Sequence, residues 1–201
     1  MTRILLAEDQ DMVRGALAAL LALEPDMEVV AQVGRGDEVE PAALAARPDV
    51  ALLDIEMPGM DGLEAAERLR AVLPSCRVLI LTTFGRPGYL TRAMQAGVSG
   101  FLVKDTPAEE LATAIRRALR GERIVDPTLA ATALAVGSNP LTDREVDVLS
   151  AAAAGDTVAD IAAALYLSEG TVRNYLSTAI TKTGARNRVE AARIASERGW
   201  L

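Results

Sequence analysis

The stretch Val50 to Gly62, V-A-L-L-D-I-E-M-P-G-M-D-G, constrains the fold more than any other part of the chain. Four apolar residues run without a break into Asp54, Met57-Pro58-Gly59 forces a turn, and Asp61-Gly62 opens a helix. So short an apolar run suits a strand buried on both faces of a parallel sheet, although a buried helix segment has the same pattern. The Pro58-Gly59 pair decides between them, because a helix does not continue through it. Asp54 then stands at the carboxyl end of a central strand, the edge where open α/β sheets hold their ligands. A carboxylate there is a nucleophile, a metal ligand or a strand-end cap.

Strand and helix patterns alternate around this stretch. Arg3 to Ala7 reads as a first strand ending in Glu8-Asp9, followed by a helix with Val13, Leu17, Leu20 and Leu21 at helical spacing. Glu28 to Val33 is the second strand and Pro41 to Arg47 the second helix. After the Asp54 strand, Asp61 caps a helix with Glu64 as its partner three residues on. Arg77 to Thr82 is the fourth strand, Tyr89 to Ala96 a helix closed by Gly97, and Gly100 to Lys104 the fifth strand. Thr106-Pro107-Ala108-Glu109 then starts a fifth helix, with Thr as N-cap, Pro at the first helical position and Glu at the third. Five such alternations indicate a doubly wound, five-stranded parallel sheet over residues 1–122.

Residues 123–139, with Pro127, Gly137, Ser138 and Asn139, read as a linker carrying a helical stretch at Pro127–Val136. From 140 to 201 strand patterns cease. Thr142/Glu145, Thr157/Asp160 and Asn187/Glu190 have capping-box spacing, and Ser168 caps a further helix. Four short helices result, the second and third joined tightly through Leu165-Tyr166-Leu167-Ser168, which is helix-turn-helix spacing.

Composition narrows the chemistry. The chain has no histidine, which excludes histidine-based acid/base catalysis, histidine metal sites and a histidine autokinase. Cys76 is the single cysteine, so a reducing cytoplasm is the expected compartment. No apolar run approaches the roughly 18 residues of a membrane span, and the acidic Glu8 and Asp9 come too early for a signal peptide, so a soluble cytoplasmic protein is expected. Residues 1–122 carry 13 Lys and Arg against 19 Asp and Glu, whereas 168–201 carry 6 against 3. A polyanion, if one binds, binds at that basic end.

Glu8 and Asp9, Asp54, Thr82 and Lys104 all follow strand ends and so converge on one sheet edge. Three carboxylates in one pocket repel one another, and a hard divalent cation such as Mg²⁺ relieves that repulsion. A lysine and a hydroxyl beside them would stabilise a phosphoryl group arriving at Asp54. Alternatively, Glu8 and Asp9 cap the first helix and Lys104 pairs with Asp54. These residues, together with Met57-Pro58-Gly59-Met60-Asp61-Gly62, resemble the receiver domain of bacterial response regulators over about residues 1–122. The resemblance implies that Asp54 accepts a phosphoryl group from a phosphohistidine on a partner sensor kinase. It further implies Mg²⁺ held by Glu8, Asp9, Asp54 and the backbone carbonyl of Glu56, with Thr82 and Lys104 contacting the phosphoryl group. The switch aromatic of that family, often Tyr, is Phe101 here, which has no hydroxyl to donate. An aspartyl-nucleophile phosphatase is the competing enzyme reading. It fits poorly, since Glu56 stands where such enzymes place an Asp and no cap domain is present.

The second half resembles the LuxR-type helix-turn-helix of NarL/FixJ regulators, through Leu141-Thr142-Asp143-Arg144-Glu145-Val146, Leu167 to Leu176 and Arg186 to Ala192. Its Arg-Asn-Tyr-Leu-Ser run and Gly199-Trp200-Leu201 ending are similar to the DesR-type subgroup. In this reading Arg173, Asn174 and Ser177 face base edges of double-stranded DNA, as suits guanidinium and carboxamide groups. Thr171, Lys182, Arg186, Asn187 and Arg188 contact phosphates. The chain is therefore expected to be a response regulator that homodimerises on phosphorylation and controls transcription. It would be no enzyme beyond slow autophosphorylation from small donors and autodephosphorylation. The alternative is a phosphorylation-independent transcription factor whose receiver serves as an interaction module.

Overall fold

The computed structural model describes residues 1–83, 87–125, 130 and 139–201. The chain divides into two compact units, one built mainly from residues 1–130 and the other from 131–201. The first alternates β1 (Thr2–Ala7), α1 (Asp11–Leu21), β2 (Met27–Val33), α2 (Val39–Ala46), β3 (Val50–Asp54), α3 (Gly62–Val72), β4 (Arg77–Thr82), α4 (Pro87–Gln95), β5 (Gly100–Val103) and α5 (Ala108–Leu119). A two-residue β6 (Ile124–Val125) follows.

All pairings are parallel, in the order β2-β1-β3-β4-β5-β6. The order reverses between β1 and β3, and ligands of open α/β sheets bind outside the strand ends at such a switch point. Every residue of β3 is buried, as its unbroken apolar run requires. Alternate residues divide the core. Ile4, Leu6, Leu52, Leu79 and Leu102 pack with Leu21 of α1 and with Leu111, Ile115 and Ala118 of α5. Leu5, Leu53, Ile80 and Phe101, all fully buried, point to the opposite face.

Two expectations need correction. The sheet has a sixth strand where a linker was read, because Ile124 and Val125 pair with Gly100 and Phe101 on the free edge of β5. Two residues are too few to show a period, so the pattern held no signal. Thr106 is not the cap of α5. Pro107, with ψ 145°, is the cap residue, and its carbonyl accepts from Glu110 and Leu111 at 2.9 and 3.0 Å. Its φ of −55° suits a helix, but its extended ψ keeps it outside, so Ala108 is the first helical residue. The expected helix at 127–136 lies outside the described residues apart from residue 130.

The second unit is four helices, α6 (Asp143–Ala153), α7 (Val158–Ala164), α8 (Glu169–Thr183) and α9 (Arg188–Glu197). Their starts are where the capping spacings put them. Thr142 and Thr157 form reciprocal capping boxes with Glu145 and Asp160, Ser168 accepts from Thr171 N–H, and Asn187 accepts from Glu190 N–H. Each cap satisfies backbone donors that the first helical turn leaves unpaired. Val148, Leu149, Ile161, Val172, Leu176, Ala191, Ala195 and Trp200 close a small core of their own. No helix among the described residues is long and apolar enough to cross a membrane.

Candidate functional sites

Register brings the strand-end residues together. Ala7 lies opposite Leu53, so Glu8 comes level with Asp54, and Asp54 lies opposite Leu81, one residue before Thr82. Lys104 extends the next pairing, its N–H donating to the Thr82 carbonyl at 2.8 Å. The β3–α3 turn folds tightly over this edge. A side chain at Gly62 would meet the Asp54 carbonyl oxygen at 1.8 Å, so α3 can begin here only on a glycine.

Glu8, Asp54 and Thr82 are buried, while Asp9 is exposed at the mouth. Asp54 Oδ1 accepts from Ile55 N–H at 2.8 Å, which fixes the carboxylate and leaves Oδ2 to face Lys104. Lys104 Nζ stands 2.6 Å from Glu8 Oε2 and 2.9 Å from Asp54 Oδ2. Both distances are those of charge-assisted contacts, and the ammonium bridges the two carboxylates. Burial pushes the Glu8 carboxyl above its ordinary value; Lys104 opposes this and the charge of Asp54 adds to it. Burial would lower the Lys104 ammonium, but the two carboxylates outweigh it and hold its pKa above the ordinary value.

Glu8, Asp9 and Asp54 each offer an oxygen, and these lie within 4.8 Å of one another. Three ionised carboxylates against one ammonium leave a formal double negative charge, and the donors are all hard oxygens. The set fits a divalent cation of the Mg²⁺ or Ca²⁺ kind and suits a soft metal poorly. The cleft in front of Asp54 is lined by Asp9, Gln10, Asp54, Glu56, Thr82 and Thr83. Gln10 and Thr83 were missed in the sequence, although each directly follows a residue that was singled out. Phe101 is fully buried on β5 and does not line that cleft.

In the second unit α8 buries Val172, Leu176, Ala179 and Thr183 and leaves Arg173, Asn174 and Ser177 exposed along one side. Arg173 pairs with Glu169, one turn earlier, at 2.5 Å, with both side chains more than half exposed. Thr171 is half-buried and its hydroxyl lies 2.8 Å from that of Ser168. Arg186 forks onto Glu190, holding that carboxyl at about 2, and Asn187 is spent as the α9 cap beside exposed Arg188. Lys182 has a role the sequence reading lacked. Its Nζ lies 2.7 Å from Glu145 Oε2, a side chain 5% exposed, whose same oxygen accepts from Thr142 N–H. The two residues stand 37 positions apart, so no local spacing could have joined them.

A family model described as the response regulator receiver domain matches residues 4–116, and one described as bacterial regulatory proteins, luxR family, matches 139–195. The transcriptional regulatory protein DesR of Bacillus subtilis (strain 168) is 49% identical over 201 residues, covering 100% of both chains. The uncharacterized transcriptional regulatory protein YvfU of the same strain is similar to the same extent, with the same coverage. Among solved structures, the response regulator ChrA of a heme-sensing two-component system aligns with a TM-score of 0.59 at 30% identity, covering 100% of this chain and 98% of that one. Both halves of the chain thus match in order and over their full length, and the chain belongs to the NarL/LuxR-family response regulators, transcriptional regulators in which a receiver domain precedes a LuxR-type DNA-binding domain.

Proposed function

We propose that phosphorylation of Asp54 by a partner histidine kinase controls sequence-specific binding of the second unit to double-stranded DNA. The observation that carries this reading is the unbalanced pocket: Asp54, buried at the switch point, with Glu8 and Asp9 around it and Lys104 as the one cation in contact among the described residues. An Asp54 carboxylate oxygen attacks phosphorus, the P–N bond to the kinase histidine breaks, and the imidazole leaves with its electron pair. Mg²⁺, held by Glu8, Asp9, Asp54 and the Glu56 carbonyl, would supply charge neutralisation for the phosphoryl oxygens. Lys104 follows the negative charge from the Asp54 oxygen to the new phosphoryl group. The Thr82 hydroxyl, at the cleft, donates to that group, and Phe101, having no hydroxyl, transmits the change by packing alone.

The receiver comprises residues 1–122 extended by β6, the chain from there to 139 connects it to the remainder, and 140–201 bind DNA. Two phosphorylated receivers pair, so that two helix-turn-helix units engage half-sites about one helical turn apart. Arg173, Asn174 and Ser177 face bases, while Thr171, Lys182, Arg186, Asn187 and Arg188 lie toward phosphates. Such a regulator works in the cytoplasm and turns over no substrate, beyond slow uptake of phosphoryl from small donors and its hydrolysis. Acetyl phosphate with Mg²⁺ is expected to add one phosphoryl group by intact mass, and Asp54→Asn to add none. Unchanged labelling of that variant would overturn the assignment.

A further inference from the structure

Six helices of the described residues end in the same way. A residue just past the last helical turn takes a positive φ, its N–H bonds three residues back, and the next N–H bonds five residues back. This Schellman arrangement favours glycine, because a Cβ is disfavoured in the left-handed region. Five of the six use glycine: Gly97 after α4, Gly121 after α5, Gly155 after α6, Gly184 after α8 and Gly199 after α9. The sixth, closing α7, is Tyr166 at φ 55°, with its N–H on Ala163 and the N–H of Leu167 on Ala162.

Among the described residues of the unit nothing offsets the choice. Tyr166 is 96% exposed, so it buries almost no apolar surface. Leu165 and Leu167 on either side pack against the core and hold the connection in place. A bulky residue kept in a disfavoured conformation without local compensation is a mark of function. Its position indicates which function. Tyr166 stands two residues before Ser168, the cap of α8, at the end of that helix from which Thr171, Arg173 and Asn174 follow. A phenol there projects from a fixed turn and carries a neutral hydroxyl donor on a rigid ring.

We propose that Tyr166 is a DNA-backbone contact, its hydroxyl donating to a phosphate oxygen beside the groove that α8 enters and setting the register of that helix. The inference rests on the DNA-binding reading of the second unit. A phosphate contact is independent of sequence, so a fluorescently labelled random-sequence duplex suffices as probe. The full chain, phosphorylated with acetyl phosphate and Mg²⁺, is titrated against it at several low salt concentrations, and unfolding is followed by the fluorescence of Trp200, the only tryptophan. Tyr166→Phe is expected to weaken binding by about two- to twelve-fold, the range of one hydrogen bond. It should do so without changing the salt slope, since no counterion-releasing charge is lost. Tyr166→Gly is expected to weaken binding at least as much while raising the melting temperature, a combination a merely structural cap would not give. If the unaltered chain fails to bind, the DNA-binding reading falls and the proposal with it. If it binds, and both variants bind equally well, the proposal alone falls and the tyrosine serves another class of partner, such as a protein. A lower melting temperature for Tyr166→Gly would also overturn it, by removing the strain on which it stands.

Discussion

The chain has two lysines among its 21 basic residues, one in each unit, and each stands against a buried carboxylate. Their surroundings differ in charge balance. Lys104 faces Glu8 and Asp54, with Asp9 close by, so three carboxylates share one ammonium. Among the described residues Lys182 faces Glu145 alone, a carboxylate also satisfied by the Thr142 N–H. A pair that balances, with only its carboxylate buried, is architecture: it fixes α6 against α8. A buried cluster that does not balance stores a demand for further positive charge, which a divalent cation meets and an arriving phosphoryl group rearranges. The same residue type thus marks chemistry in one unit and assembly in the other.

The largest expected effect separates them directly. Lys104→Met keeps much of the side-chain stem but removes its charge, and is expected to slow labelling of Asp54 by acetyl phosphate about 100-fold, as loss of one preorganised electrostatic partner does elsewhere. Lys182→Met should leave that rate unchanged. Equal slowing by both variants would break the comparison. In the second unit, Lys182→Met strands the Glu145 carboxylate, and breaking a buried pair costs about 3–5 kcal/mol. With Lys182 32% exposed, solvent screening reduces the expected loss to about 2 kcal/mol, read by urea unfolding through Trp200 fluorescence. The same variant tests the phosphate-contact reading of Lys182. A DNA salt slope lower by about one unit would show that the lysine reaches phosphate as well as Glu145.

The pH responses of the two sites are expected to have opposite signs. Glu145 is buried, which raises its pKa, but Lys182 and the Thr142 cap outweigh this and hold it below the ordinary 4.5. The unfolded chain then binds the proton more tightly, so this contribution is present above pH 4.5 and is lost as pH falls through the folded value. Glu8 is shifted upward, so between 4.5 and its folded value the native state holds the extra proton, and stability falls as pH rises through that window. In metal-free buffer, hydrogen exchange at β1 and β3 should quicken relative to the intrinsic rate as pH rises above 4.5, whereas the Trp200 transition should strengthen as pH rises toward 4.5. A common sign at both sites would show that charge balance is not what distinguishes them.

What could be read in advance follows from the range of the interaction involved. The Asp54 strand was legible because Pro58 and Gly59 punctuate a short apolar run, and the helix starts at Thr142, Thr157 and Asn187 because a cap and its partner lie three residues apart. The site at the sheet edge was legible through topology, since parallel strands carry the residues after them to one edge. β6 escaped because pairing with an existing edge, rather than any pattern of its own, makes Ile124 and Val125 a strand. The partner of Lys182 escaped for a related reason: α6 and α8 meet only in the packed unit. Tyr166 was visible as a residue between two helices, but its left-handed backbone and its exposure belong to the folded turn.

The smallest effect concerns Glu169. It lies in the first turn of α8, where a negative charge favours the helix, and pairs with Arg173 four residues on. Both side chains are more than half exposed, so the pair adds less than about 1 kcal/mol to stability. For Arg173 to reach a guanine edge it has to leave Glu169, and the carboxylate then faces the phosphates of the duplex. Glu169→Gln is therefore expected to tighten DNA binding by about 0.3–1 kcal/mol, with little change in the unfolding midpoint. Arg173→Ala should instead relax site preference by about 1–3 kcal/mol. Weaker binding by Glu169→Gln would mean that the carboxylate itself accepts from a cytosine amino group. The ion pair on the free protein would then hold two base readers together until DNA separates them, and the exposed end of α8 would carry the same kind of poised, opposed charges as the pocket around Asp54.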